Sequence, residues 1–180
     1  MKVRRVVTGH AKDGKAVFVS DEDVDSIDLT TLPGSVYHRL WASDLPVRLP
    51  GDGSPPAMAK YFPPVGGFRV WMFTVPPDAT RPPQGTRTED VHAELEAKLT
   101  GLAEHLERDE PGMHTTDTVD FEYVISGRCV LELDDGSTAE VGPGDTIVQN
   151  GTRHRWRNPF DVTCRMIVFI VGAEREERRA

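Results

Sequence analysis

Turn signals follow one another so closely after Gly112 that a helix of ordinary length has no room there, and this spacing constrains the fold more than any other feature of the chain. Asp134-Asp135-Gly136, Gly142-Pro143-Gly144-Asp145 and Asn158-Pro159 supply the glycine and proline conformations that tight turns require. The intervening segments 121–126, 128–133, 137–141, 146–149, 154–158 and 162–171 are short and predominantly apolar or alternating. Short strands at such intervals predict an antiparallel sandwich or barrel, an all-β architecture.

The first half is organised differently. Eleven of the 14 prolines fall between Pro33 and Pro83, which predicts a region of loops and sheet edges, since proline cannot donate to a β-ladder. Segments 3–8, 16–20, 36–42 and 68–75 are rich in β-branched and aromatic residues and read as strands. Between 88 and 108, Val91, Leu95, Leu99, Leu102 and Leu106 recur at helical spacing on an otherwise charged surface, predicting one helix. Thr86 followed by Glu89 resembles a capping box at its start. His92 and His105 are expected on its solvated face. The reading is one domain: an N-terminal region 1–109, a strand-rich core 110–172 and a charged tail 173–180.

Composition excludes several roles. The chain carries 21 basic and 29 acidic residues, a net charge of −8 that opposes binding to a phosphate backbone. The longest apolar run, 166–171, is far below the roughly 20 residues a membrane-spanning helix needs. With no export signal the expected location is cytoplasmic, and Cys129 and Cys164 are expected as free buried thiols.

The chemistry-bearing residues lie in two segments. In 112–127, His114, Thr116, Thr118, Asp120 and Glu122 share one parity and project to one side wherever the chain is extended. Carboxylates on an inward face need a cation or a proton. In 141–159, a strand at 154–158 places His154, Trp156 and Asn158 on one face and Arg153, Arg155 and Arg157 on the other, where an outer surface matched to acidic neighbours is the plain expectation. Imidazoles and carboxylates meeting across a barrel form a ligand set for a first-row transition metal. On parity Trp156 is a candidate pocket residue, and Gln149 could hydrogen-bond a substrate.

These segments resemble the paired motifs of the cupin superfamily. His114, Asp120 and Gly127 match the spacing of the first motif, with Thr116 in place of its second histidine and Asp120 in place of its glutamate. Gly144, Gly151, His154 and Asn158 match the second, with Gln149 in its proline position. The resemblance implies an antiparallel jelly-roll β-barrel over 110–172, metal ligation by His114, Asp120 and His154, and pairing of two copies through N-terminal strands as a homodimer. Two histidines and one carboxylate imply a divalent transition metal, Fe(II) favoured over Mn, Ni or Zn, with Glu122 as a general base or alternative ligand. Thr116, Gln149 and Trp156 are the expected substrate contacts. Three functions stay open: Fe(II)-type oxygenation of a small organic molecule, metal-dependent lyase, dehydratase, isomerase or polyketide-cyclase chemistry, and small-molecule binding without turnover.

Overall fold

The computed structural model describes residues 2–176. Eleven strands run in chain order: β1 (Val3–His10), β2 (Ala16–Val24), β3 (Ile27–Asp28), β4 (Val36–Ser43), β5 (Phe68–Val75), β6 (Thr118–Ser126), β7 (Cys129–Leu133), β8 (Thr138–Val141), β9 (Thr146–Asn150), β10 (His154–Arg157) and β11 (Cys164–Gly172). They form three sheets. A six-stranded sheet has the order β3-β4-β5-β11-β6-β9, a three-stranded sheet the order β10-β7-β8, and β1 and β2 form a separate hairpin. Every strand pair within the sheets is antiparallel. This is the all-β jelly roll expected from the turn spacing, with β3, β4 and β5 of the N-terminal region continuing the larger sheet.

The core lies between the two larger sheets. Trp71, Phe73, Val124, Met166, Val168 and Ile170 come from one, Cys129 and Val141 from the other. Strict alternation puts them there: in β6, Thr118, Asp120, Glu122 and Val124 are buried, while Val119, Phe121 and Tyr123 between them are exposed. Both cysteines are free and buried. At the β6–β7 turn Gly127 adopts φ +73°, and a Cβ there would lie 2.4 Å from the Thr163 carbonyl oxygen, so only glycine fits.

The predicted helix over 88–108 is shorter than its apolar spacing suggests. Helix α1 (Thr88–Lys98) ends before Gly101, which takes φ +85°, and the chain resumes as a single 3-10 turn, Ala103–His105. Leu95, Leu99 and Leu102 all remain buried, because the turn re-aims the chain toward the same core. The helix is capped at Arg87 rather than Thr86, the Asp90 carboxylate accepting from the Arg87 N–H at 3.0 Å. His105 is not on a solvated face: its ring packs edge-on against Phe62 at 4.8 Å and its Nδ1 lies 3.1 Å from the Thr115 carbonyl.

Arg153, Arg155 and Arg157 do face acidic neighbours. Arg153 holds Glu107 at 2.7 Å, Arg155 holds Glu132, and Arg157 holds Asp78 at 3.0 Å. Part of the tail is anchored, since Arg175 binds Asp117 and the carbonyls of Thr116 and Gly151. Residues 177–180 of the predicted charged tail lie outside the described residues. No helix among the described residues is long and apolar enough to cross a membrane.

Candidate functional site

The alternation of β6 delivers Asp120 and Glu122 to the interior, Asp120 level with Gln149 of β9 and Ile170 of β11, Glu122 level with Ile147 and Val168. The histidines arrive from two chain segments that pair locally. His114 and His154 exchange backbone hydrogen bonds of 2.9 and 3.0 Å, which brings their ring centroids to 4.3 Å. His114 Nδ1 lies 3.0 Å from the Gly112 carbonyl, and His154 Nδ1 lies 2.8 Å from the Thr152 carbonyl. A carbonyl can only accept, so these contacts assign the proton to Nδ1 and leave each Nε2 with a free lone pair. Ring nitrogens fixed in this way are oriented as metal ligands usually are.

The carboxylates lack such partners. Asp120 Oδ1 and Glu122 Oε2 are buried without a hydrogen bond. Burial pushes the Asp120 carboxyl up to about 6, the Thr118 hydroxyl opposing it. Burial, and then the Asp120 charge, push Glu122 up to about 8 against the Trp156 indole N–H. Burial and the neighbouring His114 lower His154 to about 4, and burial likewise lowers His114, so both imidazoles are neutral at pH 7.

All four groups and Trp156 line one cavity of about 670 Å³. Tyr37, Tyr61, Phe62 and Phe73 line it as well, and Val91, Leu95, Leu102 and Leu106 complete an apolar wall from α1 and the segment after it. A second hollow of about 650 Å³, between the β1–β2 hairpin and the 45–56 loop, holds none of these side chains.

In donor chemistry the set fits a divalent transition metal: two neutral imidazoles with free Nε2 atoms and two carboxylate oxygens without partners. Among the described residues no three such side chains are gathered into a ready metal cluster. Two expected substrate contacts sit outside the cavity wall. Thr116 bonds to Thr118 Oγ1 at 2.8 Å, and Gln149 Oε1 accepts from Thr152 at 2.7 Å while its Nε2 stays buried without a partner. Neither is among the cavity-lining residues. Sequence reasoning missed Tyr37, Tyr61, Phe62 and Phe73. Tyr37 and Phe73 lie on strands whose alternation could have shown their face, whereas Tyr61 and Phe62 lie in irregular chain with no period to give them a direction.

Comparison with known proteins agrees with this architecture. The Cupin domain family matches residues 104–170, a segment holding His114, Asp120, Glu122 and His154. Oryzines biosynthesis cluster protein J of Aspergillus oryzae is 50% identical over 61 residues, 34% of each chain. Phomopsin biosynthesis cluster protein D of Diaporthe leptostromiformis is 38% identical over 58 residues, 32% of this chain and 31% of that one. The matched segment spans about a third of the length of these curated relatives. Among solved structures, the polyketide cyclase RemF from Streptomyces resistomycificus superposes with TM-score 0.45 at 18% identity, covering 86% of this chain and 82% of that one. Ectoine synthase from P. lautus gives TM-score 0.42 at 17% identity, covering 83% and 70%. Residues 104–170 thus match the Cupin domain family, with both motif segments inside the match and a two-sheet jelly roll built around them.

Proposed function

We propose that this protein is a metal-dependent enzyme acting on a small organic molecule within the 670 Å³ cavity. The observation that carries the reading is the convergence on that cavity of two imidazoles, each tied back through Nδ1, with two buried carboxylate oxygens that no protein group satisfies. Two carboxylates side by side in an apolar enclosure need a cation or a proton, and the free Nε2 atoms favour the cation. His114, His154 and Asp120 are the proposed ligands, with Fe(II) favoured by the two-imidazole, one-carboxylate composition. An ion held there would polarise a substrate oxygen and, as iron, allow oxygenation.

The chain's own groups do the remaining work. The apolar wall from α1 and the following segment lines one side of the cavity and offers a surface for the apolar part of a substrate, and Trp156 packs edge-on beside His154 with centroids at 6.4 Å. Glu122 stands next to Asp120 on the inward face and is surplus to a three-ligand set, so it is the group placed to take or return a substrate proton. That surplus carboxylate supports a second reading, Lewis-acid lyase, dehydratase, isomerase or cyclase chemistry. Metal analysis of protein purified without oxygen tests both: near-stoichiometric iron that His114→Ala and His154→Ala each abolish is expected. Stoichiometric zinc with no response to iron would select the second reading, and full metal content in both variants would remove both.

A further inference from the structure

Two phenols in the cavity have no role in the proposed metal site. Tyr37 and Tyr61 both line it, and neither hydroxyl makes a hydrogen bond among the described residues. Tyr61 is only 7% exposed, and its ring is fixed on three sides. It stacks on Trp71 at 4.7 Å and 20°, meets Phe62 edge-on at 4.9 Å, and meets Tyr37 edge-on at 6.1 Å. Tyr37 in turn lies nearly parallel to Phe73 at 6.3 Å. Neither hydroxyl is among the buried polar atoms that lack a partner, so each is open to the cavity, where an entering molecule can bond it in place of water.

We infer that Tyr37 and Tyr61 are the specificity-determining residues of this cavity, and that its ligands are flat aromatic molecules bearing a hydroxyl or carbonyl oxygen. The inference rests on the reading of the cavity as a small-molecule site. Flatness follows from the lining: Tyr37, Tyr61, Phe62, Phe73 and Trp156 present aromatic faces and edges, against which another ring packs better than a puckered saturated one. The oxygen follows from the two phenols, each able to donate to a carbonyl or to exchange donor and acceptor roles with a hydroxyl. An anionic ligand is disfavoured by Asp120 and Glu122, which share the cavity.

The test uses 2-naphthol, naphthalene, trans-2-decalol and 2-naphthylmethylamine as probes, titrated into the full chain and into Tyr61→Phe and Tyr37→Phe. Each variant removes one oxygen and leaves the ring packing in place. Wild type should bind 2-naphthol at least about tenfold more tightly than naphthalene or the decalol. Each variant should lose about tenfold for 2-naphthol, the worth of one buried hydrogen bond, and change less than about twofold for naphthalene. Equal losses for both probes would reduce the tyrosines to packing residues and overturn the inference. So would binding of the decalol as tight as 2-naphthol, tightest binding of the amine, or no binding of any aromatic probe. Metal content measured on the same samples separates this inference from the proposed function: the tyrosine variants should keep it. A wild type that discriminates the probes but takes up no metal would remove the metal reading and leave this one standing.

Discussion

Glu94 offers the sharpest test of how the cavity wall is held. Its carboxylate, on helix α1 and with a side chain 11% exposed, accepts from the Thr30 N–H at 2.8 Å and hydroxyl at 2.7 Å with one oxygen. The other oxygen accepts from the Thr31 N–H at 2.7 Å and hydroxyl at 2.5 Å, and Lys98 adds a contact of 2.7 Å. The clamp joins the helix to the loop between β3 and β4, across more than sixty residues of sequence, and Val91 and Leu95 of that helix line the cavity. Glu94→Gln preserves the shape but turns one acceptor into a donor facing donors. Hydrogen bonds to charged groups are worth about 1.5–3 kcal/mol each when one partner is lost, and they are not additive, so a loss of about 2.5 kcal/mol is expected. For a domain of this size that lowers Tm by roughly 5–10 °C. Acid should erase part of the difference. Burial would raise the Glu94 carboxyl, but Lys98, the Thr31 hydroxyl and the Thr30 and Thr31 N–H groups outweigh it and hold the carboxyl well below the usual range. The unfolded state therefore binds the proton first. The stabilisation is complete above the unfolded value of about 4.3 and is lost as pH falls from there toward the folded value, with about 1.2 kcal/mol gone by pH 3.5. Urea melts of wild type and Glu94→Gln at pH 7 and pH 3.5 check this. A gap that is unchanged between the two pH values, or one below about 0.5 kcal/mol at pH 7, would refute the clamp.

Three further outcomes follow from particular contacts. Gly127→Ala places a Cβ 2.4 Å from the Thr163 oxygen at φ +73°, and should cost about 3 kcal/mol in denaturant melts; a loss under about 1 kcal/mol would mean the turn relaxes freely. Asp120→Asn and Glu122→Gln each remove a buried carboxylate with one unsatisfied oxygen from the metal-depleted protein, and should raise its stability by about 1–2 kcal/mol at pH 8 while Asp120→Asn lowers metal content; destabilisation by both would show that the bonds to Thr118 and Trp156 outweigh the burial cost. Arg69→Met leaves the carbonyls of Lys60 and Ser43 and the Asp44 carboxylate without their donor, and should cost about 3 kcal/mol and speed tryptic cleavage after Lys60; unchanged cleavage would deny its role as the anchor of that loop.

How much of this was legible in the sequence depended on periodicity. The inward set of β6 could be read directly, because a period of two leaves Thr118, Asp120 and Glu122 no choice once Val124 is in the core. The pairing of His114 with His154 came from motif spacing, not from any local signal, since forty residues separate them. The helix was overextended for a physical reason. Leu99, Leu102 and Leu106 keep helical spacing across Gly101, yet a left-handed glycine and a 3-10 turn satisfy the same burial with a shorter helix. The sheet order was not legible at all, because β5 pairs with β11 across about ninety residues, and no local pattern records such a partnership.

The aromatic half of the cavity illustrates the same limit and shows what the Pro-rich region contributes. Tyr61 and Phe62 sit in no regular element, so their direction is set by contacts that only the folded chain supplies. Arg69, fully buried on β5, donates through Nε to the Lys60 carbonyl at 2.9 Å and through Nη1 to the Ser43 carbonyl at 3.1 Å, fixing both ends of the 44–60 loop to one guanidinium. The Tyr61 N–H then reaches the Thr100 carbonyl at 2.8 Å, beside the point where Gly101 turns the chain away from α1. Prolines at 46, 50, 55 and 56 lower the entropy lost in ordering this loop, because they restrict the unfolded chain as well. The helix end and the loop are thus fixed against each other at Tyr61, and the placement of its hydroxyl depends on both. The Pro-rich segment, which carries no ligand of the proposed metal, therefore acts on the cavity by holding the ring that meets whatever enters it.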